Sequence, residues 1–190
     1  MNIYAKSICK ERVKMLKQCF DNVREKHPLV HNITNYVTVN DVANILLACG
    51  GSPIMADDSG EVEDITSICQ GLNINIGTLN KNTIPSMFLA GKKANVLGHV
   101  VLLDPVGAGA SGLRTKTANE LVRDIKFTVI RGNISEIRTL MEGTGNTKGV
   151  DADLADAVTE ENLDETIGKL KAFSEATGSV IAVTAVSYTH

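Results

Sequence analysis

Short apolar runs alternate with longer stretches of helical spacing along most of the chain, and each run is closed by Gly, Asn, Asp or Pro. This alternation is typical of a parallel sheet with crossover helices, so the pattern predicts an α/β fold. The predicted strands are 29–33, 53–56, 72–76, 99–103, 127–130 and 180–184. The predicted helices lie near 9–25, 36–48, 60–70, 82–97, 115–124, 134–141 and 160–177.

One helix start carries a local signal. Asp58 and Glu61 have the spacing of a capping box, in which each side chain accepts the other residue's backbone N–H. Glu63 and Asp64 add negative charge near the positive end of the same helix. We therefore predict that this acidic cluster is structural. No repeat or linker interrupts the chain, so residues 1–190 are predicted to form one domain with a polar loop at 143–152.

Composition narrows the class of protein. A chain that is 43% hydrophobic and 22% charged can bury a sizeable core. Its 19 basic and 22 acidic residues include no basic stripe, so we expect no nucleic-acid partner. No segment has the apolar length of a membrane span, and we expect no membrane partner. The four cysteines, Cys9, Cys19, Cys49 and Cys69, have neither disulfide-framework nor zinc-site spacing, which favours reduced thiols in a cytoplasm.

The candidate chemistry follows the apolar runs, because ligands of open parallel sheets bind outside the carboxyl ends of the strands. One such segment, Gly107-Ala-Gly-Ala-Ser-Gly112, has the spacing of a dinucleotide-binding turn. Arg131 stands where such a site has an acidic residue that holds the ribose, so the site would suit a dinucleotide with a 2′-phosphate, such as NADP. The alternative is a glycine loop with a purely structural role. Gly107 and Gly109 would let backbone N–H groups approach anionic oxygens.

A second segment, Asn133-Ile-Ser-Glu136, follows the fifth predicted strand. Asn133 as N-cap and Glu136 three residues later fit a capping box. The other interpretation places Glu136 beside a triphosphate, where a carboxylate can hold Mg²⁺ directly or through water. The two interpretations are compatible, since Asn133 can cap the helix while Glu136 faces a ligand.

Five segments together carry a specific resemblance. They are His31-Asn-Ile-Thr-Asn35, Ser52-Pro-Ile-Met-Ala56, Asn75-Ile-Gly-Thr-Leu79, Leu103-Asp-Pro-Val-Gly-Ala-Gly-Ala110 and Ile130-Arg-Gly-Asn133. In this order they resemble the signature blocks of the hydroxyethylthiazole kinase family. The resemblance implies a ribokinase-like α/β fold, with a mostly parallel central sheet and helices on both faces. It also implies a homotrimer that uses ATP and Mg²⁺ to phosphorylate the alcohol of 5-(2-hydroxyethyl)-4-methylthiazole.

The resemblance also implies roles for individual residues. It assigns the thiazole substrate to Met55 and Asn35, ATP to Arg131, Thr184 and Asn133, and the metal region to Glu136 and Asp104. Two of these assignments have structural alternatives, which are core filling for Met55 and a helix N-cap for Asn35. His31 is interpreted as a loop or core hydrogen-bonding residue.

Beyond Thr184 the family pattern continues with Gly and an acidic residue, and later with a Gly-Thr-Gly-Cys turn whose cysteine is placed as catalytic base. Residues 185–190 do not resemble it, so the implied base and the C-terminal part of the fold lie beyond residue 190. We therefore expect one open sheet edge, one open face and no kinase activity in a 190-residue chain. The alternatives are a hydroxymethylpyrimidine-type kinase and an inactive ligand-binding fragment.

Overall fold

The computed structural model describes residues 3–143 and 162–184, with side chains from residue 13 onward. The helices are α1 (Ile3–Lys26), α2 (Val39–Cys49), α3 (Val62–Ile68), α4 (Thr83–Leu97), α5 (Gly112–Asp124), α6 (Ile134–Gly143) and α7 (Leu163–Thr177). The strands are β1 (Leu29–Ile33), β2 (Ser52–Met55), β3 (Gly71–Asn75), β4 (Val100–Asp104), β5 (Val129–Asn133) and β6 (Val180–Thr184). Over these residues, no helix combines the length and the apolar character needed to cross a membrane.

The strands form one sheet in the order β2-β1-β3-β4-β5-β6, and every neighbouring pair is parallel. The chain moves from β1 to β2 in one direction across the sheet and from β3 to β6 in the other. Because crossover connections are right-handed, α2 lies on one face and the helices after β2 lie on the opposite face. This arrangement confirms the predicted parallel α/β fold with helices on both faces.

The main core lies between the sheet and helices α3 to α7. Alternate strand residues supply its sheet side, and Ile33, Ile74, Leu103 and Ile130 are at most 1% exposed. The helices contribute Val62, Met87, Ala90, Ala94, Ala118, Leu121, Ile137, Leu140 and Phe173. The opposite face of the sheet is less covered, and Val100 and Val180 there are 57% and 62% exposed.

Two local predictions are wrong at the ends of elements. Strand β5 continues to Asn133 rather than stopping at residue 130, because Arg131, Gly132 and Asn133 pair with the last residues of β6. The predicted capping box at Asp58 and Glu61 is not formed. Asp58 instead accepts the backbone N–H of Gly60 in a tight turn at 2.8 Å, and α3 begins only after Glu61.

Candidate active site

The predicted site residues lie at the carboxyl edge of the sheet, where parallel strands present their last residues and the loops that follow. Met55, Asp104 and Thr184 end β2, β4 and β6, and Asn133 ends β5. Asn35 follows β1, next to the point between β1 and β3 where the direction of strand addition reverses. Open α/β sheets bind their ligands at such a reversal, which supports this edge as the candidate site.

A continuous set of hydrogen bonds runs along this edge, and we call its members the amide relay: Asn35, Asn75, Asp104 and Arg131. The Asn35 Nδ2 donates to Asn75 Oδ1 at 3.1 Å, and the Asn75 Nδ2 donates to Asp104 Oδ2 at 3.0 Å. Arg131 Nη1 donates to the same Asp104 oxygen at 3.3 Å. The relay therefore joins a predicted substrate residue to a predicted phosphate residue through β3 and β4.

Asp104 carries an unsatisfied oxygen. Its Oδ1 is buried and has no hydrogen-bond partner among the residues that the structure describes. The pKa of the Asp104 carboxyl is raised above its ordinary value, mainly because the group is buried. The charge of Arg131 opposes this rise, and the charge of Glu136 adds to it. An unpaired carboxylate oxygen beside a second carboxylate is a group that a hard divalent cation satisfies.

Glu136 forms the predicted capping box with Asn133. The Asn133 N–H donates to Glu136 Oε2 and the Glu136 N–H donates to Asn133 Oδ1, both at 2.8 Å. The other carboxylate oxygen of Glu136 accepts the N–H of Gly107 at 2.9 Å. Glu136 therefore ties the start of α6 to the glycine-rich loop, and both of its oxygens retain a lone pair for water or a cation.

The N–H groups of Gly107 and Gly109 bond to other residues of the protein, which corrects the expectation that they face the anionic oxygens of a ligand. Gly107 donates to Glu136, and Gly109 donates to the Thr115 hydroxyl at 2.9 Å. Both glycines have a positive φ, 74° and 94°, which explains the residue type without a ligand. A dinucleotide interpretation needs these N–H groups for a pyrophosphate, and the structure uses them otherwise.

Met55 is 37% exposed at the end of the edge strand β2, so it does not fill the core in this chain. His31 is fully buried and contacts the backbone of Ala56, the residue that follows Met55. Its Nε2 lies 2.8 Å from the Ala56 carbonyl oxygen, and its Nδ1 lies 2.9 Å from the Thr66 hydroxyl. The interpretation of His31 as a core hydrogen-bonding residue is thus confirmed.

Asn35 and Thr184 make local contacts that fix their loops. The Asn35 Oδ1 accepts the N–H groups of Val37 and Thr38 at 3.1 and 3.0 Å, so it caps the turn before α2, whose N-cap is Thr38. Thr184 donates its hydroxyl to the Gly132 carbonyl oxygen at 3.3 Å, across the β5–β6 pair. Thr184 remains exposed despite this contact.

Three residues at this edge had not been singled out from the sequence. Asn75 is the centre of the amide relay. Arg114 of α5 joins the loops after β3 and β4, because its Nη2 donates to the Gly77 carbonyl oxygen at 2.8 Å and its Nη1 to the Val106 carbonyl oxygen at 3.5 Å. Tyr36 joins the loops after β1 and β2, because its hydroxyl donates to Asp57 Oδ2 at 3.0 Å. Asn75 is the first residue of one of the five signature segments, and this position is the sequence feature that could have marked it as a site residue.

Comparison with known proteins identifies the family of this chain. The model of the hydroxyethylthiazole kinase family matches residues 20–189. A hydroxyethylthiazole kinase of Clostridium acetobutylicum is 68% identical over 90% of this chain and 62% of its own length. Its counterpart in Clostridium tetani is 57% identical over 85% of this chain and 58% of its own. The chain thus spans about three-fifths of the length of these curated relatives.

A solved structure gives the same result at the level of the fold. The hydroxyethylthiazole kinase protein from Pyrococcus horikoshii is 35% identical, with a TM-score of 0.77 over 90% of this chain and 61% of that one. The family model covers far more than half of the residues, and the fold and the sequence agree. The chain belongs to the hydroxyethylthiazole kinase family.

Proposed function

We propose that this protein transfers the γ-phosphate of ATP to the hydroxyl of 5-(2-hydroxyethyl)-4-methylthiazole, a step of thiamine biosynthesis or salvage. The observation that supports this most is the amide relay, which places a candidate substrate residue and a candidate phosphate residue at one sheet edge. Phosphoryl transfer depends on positioning and charge neutralisation more than on covalent chemistry by the protein, and this edge offers both.

Met55 and Asn35 are the proposed thiazole residues. The Met55 side chain is partly exposed at the end of β2 and offers a soft, polarisable surface for a sulfur heterocycle. Asn35 uses both ends of its amide within the protein, so its position is fixed before a ligand arrives. A fixed substrate position is what an acceptor alcohol needs for in-line transfer.

Arg131, Thr184 and Asn133 are the proposed ATP residues. The Arg131 side chain is 49% exposed and shares one of its donors with Asp104, which leaves other guanidinium N–H groups for phosphate oxygens. Thr184 and Asn133 lie opposite each other on β6 and β5, so both face the same stretch of the edge. The three residues together would hold an anionic group beyond the ends of these strands.

The residues of this site fit Mg²⁺. Over the described residues no group of three or more His, Cys, Asp or Glu could hold a metal, so the site offers two carboxylates at most. Mg²⁺ in phosphoryl-transfer sites is commonly held by one or two carboxylates together with phosphate oxygens and water. Asp104 offers its unpaired Oδ1, and Glu136 offers the remaining lone pairs of its oxygens. When bound, the ion would neutralise charge on the phosphates.

We also propose that the protein is a homotrimer that acts in the cytoplasm. Helix α2 has no buried residue and exposes Ile45 and Leu47 by 60% and 57%, as expected of a helix that packs against another subunit. The cysteines Cys19, Cys49 and Cys69 are free thiols, which is typical of the reducing compartment that also contains ATP.

The first test compares acceptors in the full-length protein. We expect ATP-dependent phosphorylation of the hydroxyethylthiazole in the presence of Mg²⁺, little phosphorylation of hydroxymethylpyrimidine, and no binding of NADPH. Product is measured by thiazole-dependent ADP release and by mass spectrometry. Preferential phosphorylation of the pyrimidine alcohol, or tight NADPH binding without thiazole turnover, would contradict the proposed function.

Arg131 gives the second test. Arg131→Ala should weaken ATP use by roughly ten- to a hundredfold in kcat/KM, because a hydrogen bond to a charged group contributes about 1.5–3 kcal/mol. Arg131→Lys should recover only part of this loss, since an ammonium lacks the planar fork of donors. Steady-state kinetics at varied ATP measure both variants, and unchanged kcat/KM in Arg131→Ala would show that the residue is misassigned.

A further inference from the structure

The Asn75 amide has a single orientation. Its Oδ1 lies 2.9 Å from the backbone N–H of Gly77, a group that can only donate, so this atom is the oxygen and the other is the nitrogen. The Nδ2 then points to Asp104, whose carboxylate accepts at 3.0 Å. Asn75 is only 7% exposed, so solvent offers few alternative partners.

This orientation gives the relay a direction. Asn35 donates to Asn75, and Asn75 donates to Asp104, so each amide accepts on one side and donates on the other. The donations from Asn75 and Arg131 converge on Asp104 Oδ2 and leave Oδ1 without a partner among the described residues. Asn75 therefore helps, together with Arg131, to fix which carboxylate oxygen of Asp104 stays unpaired.

The two asparagines are also packed against a common backbone. A Cβ built on Gly77 would lie 2.9 Å from both the Asn35 Cβ and the Asn75 Oδ1. Only a glycine fits such a space, and its loop connects β3 to the rest of the site. A shift of Asn35 toward or away from its ligand would thus be transmitted to Asn75 by hydrogen bond and by contact.

We propose that Asn75 is a positioning residue that couples the thiazole side of the site to its phosphate and metal side. This inference rests on the proposed function. Asn75 touches no reacting atom in it. It acts through its two neighbours, because it fixes the Asp104 carboxylate while it holds the amide of Asn35. Occupation of one side then favours the geometry that the other side requires.

The test uses Asn75→Ser in the full-length protein. A serine hydroxyl can still accept the Gly77 N–H in a similar turn, but it is too short to reach Asn35 and Asp104 together. The matched control is Asn73→Ser, two residues earlier on the same face of β3. Asn73 makes an equivalent amide contact at 3.1 Å, but its partner is Asn32, outside the relay. Asn75→Ala is the second relay variant, should the serine substitution impair folding.

Two readouts separate positioning from general stability. We expect kcat to fall by roughly ten- to a hundredfold in the Asn75 variants, because supporting residues around a metal site contribute effects of this size. We also expect the wild-type dissociation constant for the thiazole to fall when a non-hydrolysable ATP analogue and Mg²⁺ are present. The Asn75 variants should lose this dependence and Asn73→Ser should retain it.

The outcomes are distinct. Folded Asn75 variants with the kcat and the ligand coupling of the wild-type protein would overturn the role of Asn75. The proposed function would still stand in that case, provided that the wild-type protein phosphorylates the thiazole. Equal losses of kcat in the Asn75 and Asn73 variants would also overturn it, because they would indicate a general effect on the strand. A wild-type protein that neither binds nor phosphorylates the thiazole would overturn the proposed function and, with it, this inference.

Discussion

His31 is a buried histidine, and burial favours its neutral form. A carbonyl oxygen only accepts, so the Nε2 that faces Ala56 must carry a proton. The Thr66 hydroxyl lies 2.9 Å from Nδ1 and 2.7 Å from the Val62 carbonyl oxygen, and it can donate to one of them at a time. The structure has the hydroxyl donating to the Val62 carbonyl oxygen. Burial lowers the pKa of His31, although the bond to Ala56 and the charge of Glu61 oppose the shift.

This lowered pKa predicts acid sensitivity of the fold. Below about pH 6.5 the unfolded chain protonates His31 and the folded chain does not, so the free energy of unfolding falls as pH falls toward the folded pKa. The slope is at most ~1.4 kcal/mol per pH unit for one proton. Urea unfolding at several pH values measures it, and His31→Gln, which cannot titrate, should flatten the curve. Parallel curves for the two proteins would contradict this account.

At the residue scale, short-range partners could be predicted from the sequence and long-range partners could not. Asn133 and Glu136 are three residues apart, so their reciprocal hydrogen bonds follow from local helix geometry. Asn75 bonds to residues 40 and 29 positions away, and no local pattern distinguishes it from another polar residue at the end of a strand. The roles of Met55, Asn35, Arg131, Thr184, Asp104 and Glu136 remain predictions from family resemblance.

At the scale of the element, helices α4 and α7 provide a paired test of packing. Gly91 in α4 is buried, and a Cβ built there would lie 2.3 Å from Ile125 Cδ1 and 3.0 Å from Cγ1. Gly91→Ala should therefore cost roughly 1–3 kcal/mol through overpacking, which exceeds its gain in helix propensity. Chemical unfolding measures the loss. Adding Ile125→Val, which removes Cδ1, should restore part of the stability.

The control is Gly168→Ala in α7. Nothing lies within 4 Å of a Cβ built at this exposed helical position, so the substitution should stabilise the protein by about 0.5–1 kcal/mol. A stabilising effect of the same size at Gly91 would mean that α4 does not pack against Ile125 as described.

Element types were predictable because the apolar period differs between strands and helices. Element ends were less so. The Arg131-Gly132-Asn133 segment has no apolar residue, yet it is strand because β6 supplies hydrogen-bond partners from 180 onward. The predicted start of α3 was too early because a local hydrogen bond competes with the helix. Asp58 can bond locally to Gly60, and this tight turn competes with a role as helix cap.

At the scale of the whole molecule, the exposed face of α2 predicts self-association. Ile45→Lys should reduce the mass of the full-length protein measured by sedimentation velocity from a trimer toward a monomer, because the charge would be buried in the subunit contact. Lys93→Glu on α4 is a charge-changing control away from this face. A wild-type protein that sediments as a monomer would contradict the proposed trimer.

The sheet topology has an electrostatic consequence for the whole edge. Each strand runs toward the site and the next helix runs back, so α4, α5 and α6 begin where β3, β4 and β5 end. Their aligned peptide dipoles each contribute about half a positive charge at that end. The chain carries a net charge of -3 and Arg131 is paired with Asp104, so these helix ends add a positive contribution at the edge that does not depend on the side chains. An acidic protein can in this way attract a polyanion through its backbone, where no side-chain substitution removes the attraction.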